Sequence, residues 1–338
     1  MNGRLLRPLL LSLAFGVLGL GAALIFGKPK DLLVIRQLSP QTLLFCILLM
    51  LISFLSGGLR VLFLVHQLGY RLRFWSAVRS HILGLFSAAI TPSGSGNAPA
   101  IALMLSRDGV STPHAWSVAL YTGVVDLLFF AWGVPASLVV LAATGHMPEG
   151  RWLIVVGIVV SALFLSLWYL IAFHLETAPR LIIRLFSWGP LRRFRSRATT
   201  FSRSLSQTIV RLSATTWRGE LYLQVLAMGT HLSIFAMFPV IAANLGLRLE
   251  FIPTVATLFL VYIVSHVVPT PGGSGFLELT LPLLLVPERP ALALPAVVVW
   301  RLVSFYSIFI LGPSLGGTAL AKGLGLGTSK AVPENPKV

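Results

Sequence analysis

Residues 270–278 read TPGGSGFLE, and residues 91–99 read TPSGSGNAP; each string sits in the middle of an apolar stretch. Proline has no N–H to donate and glycine is costly in a helix interior, so each string breaks a helix. The stretches they interrupt, about 74–107 and 251–286, are thereby divided into halves too short to cross a bilayer alone. Lipid offers no hydrogen bonds to irregular backbone, which survives at membrane depth only where protein or a water-filled cavity covers it. Both breaks are therefore expected to face inward, towards a site.

The rest of the chain supports a membrane setting. Of its 338 residues 56% are hydrophobic and only 11% charged, with a mean hydropathy of +0.88, far from soluble usage. Unbroken apolar segments run about 41–66, 113–143, 151–174, 219–245 and 291–318. A further run, Pro8 to Phe26, is long for a signal peptide and ends at Lys28, which favours a retained first span. The reading is an all-α polytopic bundle forming a single transmembrane domain over 1–320, with a short, disordered cytoplasmic tail over 321–338. A formal net charge of +16 raises nucleic acid as a partner. Basic loops between apolar spans are instead the usual mark of cytoplasmic faces and anionic lipid, so no nucleic-acid partner is expected. Cys46 stands alone, which excludes a disulfide framework, and no Cys/His cluster or DxD pair is present. No cofactor, metal or catalytic constellation is expected.

The two halves repeat. LGYRLRF at 68–74 returns as LGLRLEF at 245–251, and TPSGSG at 91–96 as TPGGSG at 270–275, in the same order and at nearly the same offset. The repeats span about 41–143 and 219–318. If both broken segments are re-entrant hairpins, one side of the membrane receives Arg4, Arg7, Arg71, Arg73, Arg107, the arginines from Arg180 to Arg218 and the tail lysines. The other side receives Lys28, Lys30, Arg36, Arg151, Arg248 and Arg289. The bias places both termini in the cytoplasm and makes the repeats inverted, as in many transporters. Full crossings of the broken segments are compatible with the same bias.

A half-helix starting after a break has free N–H groups and a positive dipole end, a ready anion site. On this ground Gly272, Gly273, Ser274 and Gly275, with Ser93, Gly94, Ser95, Gly96 and Asn97, are candidate headgroup-binding residues; tight packing without a ligand is the alternative. Intramembrane charges by default mark a pathway. Arg301, in VVVWRLVSF, needs a carboxylate or an anionic ligand, and Glu278 is its best partner. Glu278 can also cap the backbone three residues before it, or serve as a proton-linked or cation-binding coupling carboxylate lining the cavity. Asp126, in GVVDLLFF, occupies a similar place in the first half, as a coupling or charge-pairing candidate. Arg60 is a further headgroup candidate that could equally snorkel from the end of its span. His81, His231 and His266 read as packed or hydrogen-bonded residues. In the basic segment at about 176–218, Phe201, Leu205, Ile209 and Leu212 recur at helical spacing, which predicts an amphipathic cytoplasmic helix at the membrane surface. That segment serves as a topology determinant or recruits anionic lipid.

The strings ITPSGSGNAPAIALMLSRDGV at 90–110 and VPTPGGSGFLE at 268–278, with WR at 300–301, resemble the lysylphosphatidylglycerol synthase transmembrane-domain family of flippase-like membrane proteins, over about residues 8–318. The resemblance implies a lipid-flippase fold in a bacterial or archaeal inner membrane and places Pro271, Gly272, Gly273, Gly275, Glu278 and Arg301 on the family's marked positions. Relatives often carry a basic residue before the first-half aspartate where this chain reads TGVVD, which leaves a charge pair at Asp126 open. No appended aminoacyltransferase domain is recognised, so lysyl transfer is not expected. The expected function is translocation of an anionic phospholipid or polyprenyl-phosphate-type lipid by alternating access, with membrane lipids and envelope or lipid biosynthesis enzymes as partners. The alternatives are a membrane-embedded glycosyl or polyprenyl-phosphate transferase and a non-transporting scaffold of an envelope complex. A small-solute transporter is a further possibility.

Overall fold

The computed structural model describes residues 29–317 apart from 92–93, 148–150, 175–194, 214–215, 267 and 269. The expected first span, residues 176–194 and 214–215 of the basic segment, Ser93 and the tail lie outside the described residues. A short 3-10 turn, Pro29–Gln37, leads into α1, Pro40–Gln67. Then follow α2, Phe74–Ala89, and α3, Asn97–Arg107, on either side of the first break; α4, Thr112–Ala143; α5, Arg151–His174; and α6, Arg195–Ser213. The second half holds α7, Trp217–Asn244, then α8, Phe251–Ser265, and α9, Phe276–Leu285, on either side of the second break. It closes with α10, Leu294–Arg301, which passes through a π-helical turn, Leu302–Tyr306, into α11, Ser307–Gly312. Among the described residues there is no strand.

Four helices are long and apolar enough to cross a membrane: α1, α4, α7 and the continuous stretch Pro290–Gly316. The 28 residues of α1 extend roughly 42 Å at 1.5 Å per residue, more than the ~30 Å hydrocarbon core. By the same measure the 16 residues of α2 and the 15 of α8 fall short of it, and so do α3 and α9. This is a membrane-embedded, multi-pass chain.

Sequence chemistry sets the element boundaries. Ser39 caps α1 by accepting the Thr42 N–H at 3.2 Å, and Pro40 opens the first turn. α1 and α7 both end on a glycine at positive φ, Gly69 at 85° and Gly246 at 82°. In each case a later N–H returns to the last turn, Tyr70 to Val65 and Leu247 to Ala242, the left-handed helix stop that glycine permits. The sequence match at 68–74 and 245–251 is thus also a match of local structure. Pro135 inside α4 deprives the Ala131 carbonyl of its helical donor, and Ser161 of α5 donates to that carbonyl at 2.7 Å. A neighbouring helix satisfies the backbone that lipid cannot.

The two halves share a core. α1 packs along α7, where a Cβ on Gly229 would meet Ser56 Oγ at 2.5 Å, so the backbones lie close. α2 packs against α3 and against α11, while α8 packs against α4, α7 and α9. Arg79 of α2 reaches Asp108, just past α3, at 3.2 Å, which ties the first pair of half-helices together. The amphipathic helix α6 meets protein along its apolar stripe. Its apolar residues Ile209 and Leu212 are buried, and the helix packs against α4, so protein as well as any lipid surface occupies its apolar face. Burial against α4 satisfies the apolar stripe as well as lipid would.

Candidate functional site

The second break puts a buried charge against the interior. There Gly272, Gly273 and Gly275 take positive φ of 59°, 66° and 86°, a conformation that side chains with a Cβ adopt at a cost. The turn lets α9 begin at Phe276, so that Glu278 folds back and accepts the Gly275 N–H at 2.8 Å. Its other oxygen accepts Arg301 Nε at 2.7 Å. Arg301 also donates from Nη2 to Ser274 Oγ at 3.0 Å and lies 4.2 Å from the centre of the Phe305 ring. Glu278 is 0% exposed and Arg301 3%. The capping and charge-pairing readings of Glu278 therefore both hold in the same side chain. Close approach is needed too, since a Cβ on Gly272 would meet the Phe305 ring at 2.1 Å.

In the first half the partner of Asp126 comes from elsewhere in the fold. Arg60 of α1 donates Nη1 to Asp126 Oδ1, and His231 of α7 meets the same oxygen at 2.9 Å. Arg60 is 2% exposed, which replaces the snorkelling alternative with a buried ion pair. The charge pair that the resemblance left open is thus made, across α1 and α4, without a basic neighbour at residue 125. His231, expected as a packed or hydrogen-bonded residue, bonds Asp126 and stacks on Phe129 with ring centres 5.3 Å apart. A histidine and an aspartate on separate apolar helices, 105 residues apart, carry no local signal of their contact.

Both clusters line one cavity of about 360 Å³. The lining includes Arg60, Asp126 and His231, then Arg301, Gly272 and Gly273, and Gly94 and Asn97 from the first break. Thr270, Tyr262, His266 and His81 are among the further polar lining residues, none of which stood out in sequence as binding residues. Five expected residues sit apart from that lining. Ser274 and Glu278 are buried behind it in the Arg301 cluster. Ser95 is exposed, and Gly96 donates its N–H to Thr91 Oγ1 at 2.8 Å. Gly275 likewise spends its N–H on Glu278. The tips of α3 and α9 therefore satisfy part of their own donor capacity, because a desolvated N–H needs a partner whether or not a ligand is present. Among the described residues no group of three His, Cys, Asp or Glu side chains is placed to hold a metal ion.

Comparison with known proteins agrees with this architecture. The family described as "Lysylphosphatidylglycerol synthase TM region" matches residues 9–312. A protein of Archaeoglobus fulgidus named "UPF0104 membrane protein" is 27% identical over 289 residues, covering 82% of this chain and 87% of the relative.

Proposed function

Since the chain belongs to the lysylphosphatidylglycerol synthase TM region family, we propose that it is a lipid translocase of the cytoplasmic membrane that moves an anionic phospholipid or polyprenyl-phosphate-type lipid by alternating access. The observation that carries the proposal is the convergence of both helix breaks and two buried arginines on one interior cavity. Charges buried in a membrane protein mark a pathway far more often than they add stability. In this reading α2–α3 and α8–α9 are re-entrant hairpins that enter from opposite faces, the repeats are inverted, and both termini are cytoplasmic. The headgroup occupies the cavity between Arg60 and Arg301, near the backbone of the two breaks, while its acyl or isoprenoid chains stay in lipid.

The test is reconstitution into liposomes with acyl-labelled phosphatidylglycerol in both leaflets and an impermeant quencher outside. The protein should accelerate loss of the inner-leaflet signal over empty vesicles, and Arg60→Gln should reduce that rate at least tenfold. Rates equal to empty vesicles for phosphatidylglycerol and for a polyprenyl phosphate would refute the proposal.

A further inference from the structure

The two ion pairs on the cavity differ in what they leave free. Glu278 is closed, with one oxygen on Arg301 and the other on the Gly275 N–H, and Arg301 is held further by Ser274 and Phe305. Asp126 is open: its side chain is 29% exposed and lines the cavity, and a single oxygen takes both Arg60 and His231. Arg60 keeps a buried Nε without a partner. Asp126 thus has two possible cationic partners, one permanently charged and one that charges only by gaining a proton.

Charge balance decides what a headgroup does there. With His231 neutral, Arg60 and Asp126 cancel. A phosphodiester brings one negative charge into a poorly solvated space, where an uncompensated charge is expensive. If the phosphate takes Arg60, the Asp126 carboxylate is stranded unless another cation replaces the guanidinium. His231 already touches the same oxygen. The other titratable groups around it are less suited. His81 of α2 has its Nε2 buried without an acceptor, and His266 of α8 bonds the Tyr262 carbonyl through Nδ1. Tyr262 of α8 offers a neutral phenol, while Arg301 and Glu278 answer each other.

We propose that headgroup binding takes up one proton at His231: the phosphate moves onto Arg60, and Asp126 exchanges Arg60 for the His231 imidazolium. The cavity is neutral before and after, so the lipid anion and the proton cross as an electroneutral pair, and a proton gradient can drive the lipid. This rests on the translocase reading and assigns its coupling ion.

Binding is measured separately from transport. Full-length protein in nanodiscs of neutral lipid is titrated with acyl-labelled phosphatidylglycerol at pH 6, 7 and 8, and an indicator dye in weak buffer counts protons taken up. By linkage, affinity should fall as the pH rises, by up to tenfold per unit where binding takes up a full proton, and uptake should rise towards one proton per lipid at pH 8. His231→Gln should bind at pH 6 at least as weakly as the wild type does at pH 8 and show no slope; His81→Gln and His266→Gln should keep the slope. Asp126→Asn, which removes the competitor for Arg60, should bind tightly at all three pH values without proton uptake. The proposal is overturned if wild-type affinity is flat with pH, if no proton is taken up, if the slope survives His231→Gln, or if phosphatidylglycerol does not bind. The proton count on the wild type decides should the variant fail to fold. Proton-linked binding without translocation would sink the translocase reading alone; translocation with flat binding would sink this proposal alone.

Discussion

Arg301 and Glu278 show how a buried pair can be both necessary and energetically unremarkable. Removing one partner leaves the other charged, desolvated and alone, at a cost of about 3–5 kcal/mol. Arg301→Met should accordingly lower the thermal unfolding midpoint in detergent sharply. Pairing it with Glu278→Gln should recover much of the loss, with a remainder from the weakened cap on the Gly275 N–H. Equal midpoints for the single and double variants would contradict a direct pair. Gly272 gives a second test at this scale. Gly272→Ala meets the Phe305 ring and takes a left-handed φ, so it should destabilise by more than the ~1–2 kcal/mol of the backbone strain alone. Adding Phe305→Leu should restore the part due to the clash, measured by the same unfolding assay. Which charges turn inward was largely legible from charge in an apolar run: Arg60, Glu278 and Arg301 are buried, and Asp126 pairs with Arg60. Their pairing was legible only for Glu278 and Arg301, because a cap position fixes Glu278 in the chain, whereas Arg60 and His231 reach Asp126 from helices distant in sequence.

Helix ends and breaks were readable because prolines and glycines act on their own backbone. The apolar stretch at 113–143 became α4, Thr112–Ala143, and that at 151–174 became α5. The partner of a freed carbonyl is another matter, since it lies on another helix. Ser161→Ala should leave the Ala131 carbonyl with neither Pro135 nor a hydroxyl to satisfy it, costing about 1–3 kcal/mol. In a Pro135→Ala background, where the helical N–H returns, the same substitution should cost less than half as much; an unchanged cost in both backgrounds would show that the hydroxyl does not serve the proline. The helix α6 illustrates the same division. Periodicity gave it a helical form and an apolar face, while burial of Ile209 and Leu212 alongside α4 depends on what the fold places beside it.

Across the whole molecule, the two halves share their order of elements: a long helix, a split pair, a long helix. Inversion has a direct test. In a Cys46→Ala background, which removes the lone cysteine, single cysteines at Arg71 and Arg248 should react with an impermeant maleimide from opposite sides of the membrane, Arg71 from the cytoplasm. Labelling from the same side would exclude inverted repeats. By itself the sequence determined that this is a helical membrane protein with two interrupted segments and a few buried charges, since each of those properties follows from local composition, backbone chemistry and the cost of polar groups in lipid. Only the tertiary structure decided that both interruptions share one cavity, that Asp126 answers Arg60 and His231, and that Glu278 closes on Arg301. Contacts between distant helices depend on packing that no single segment encodes.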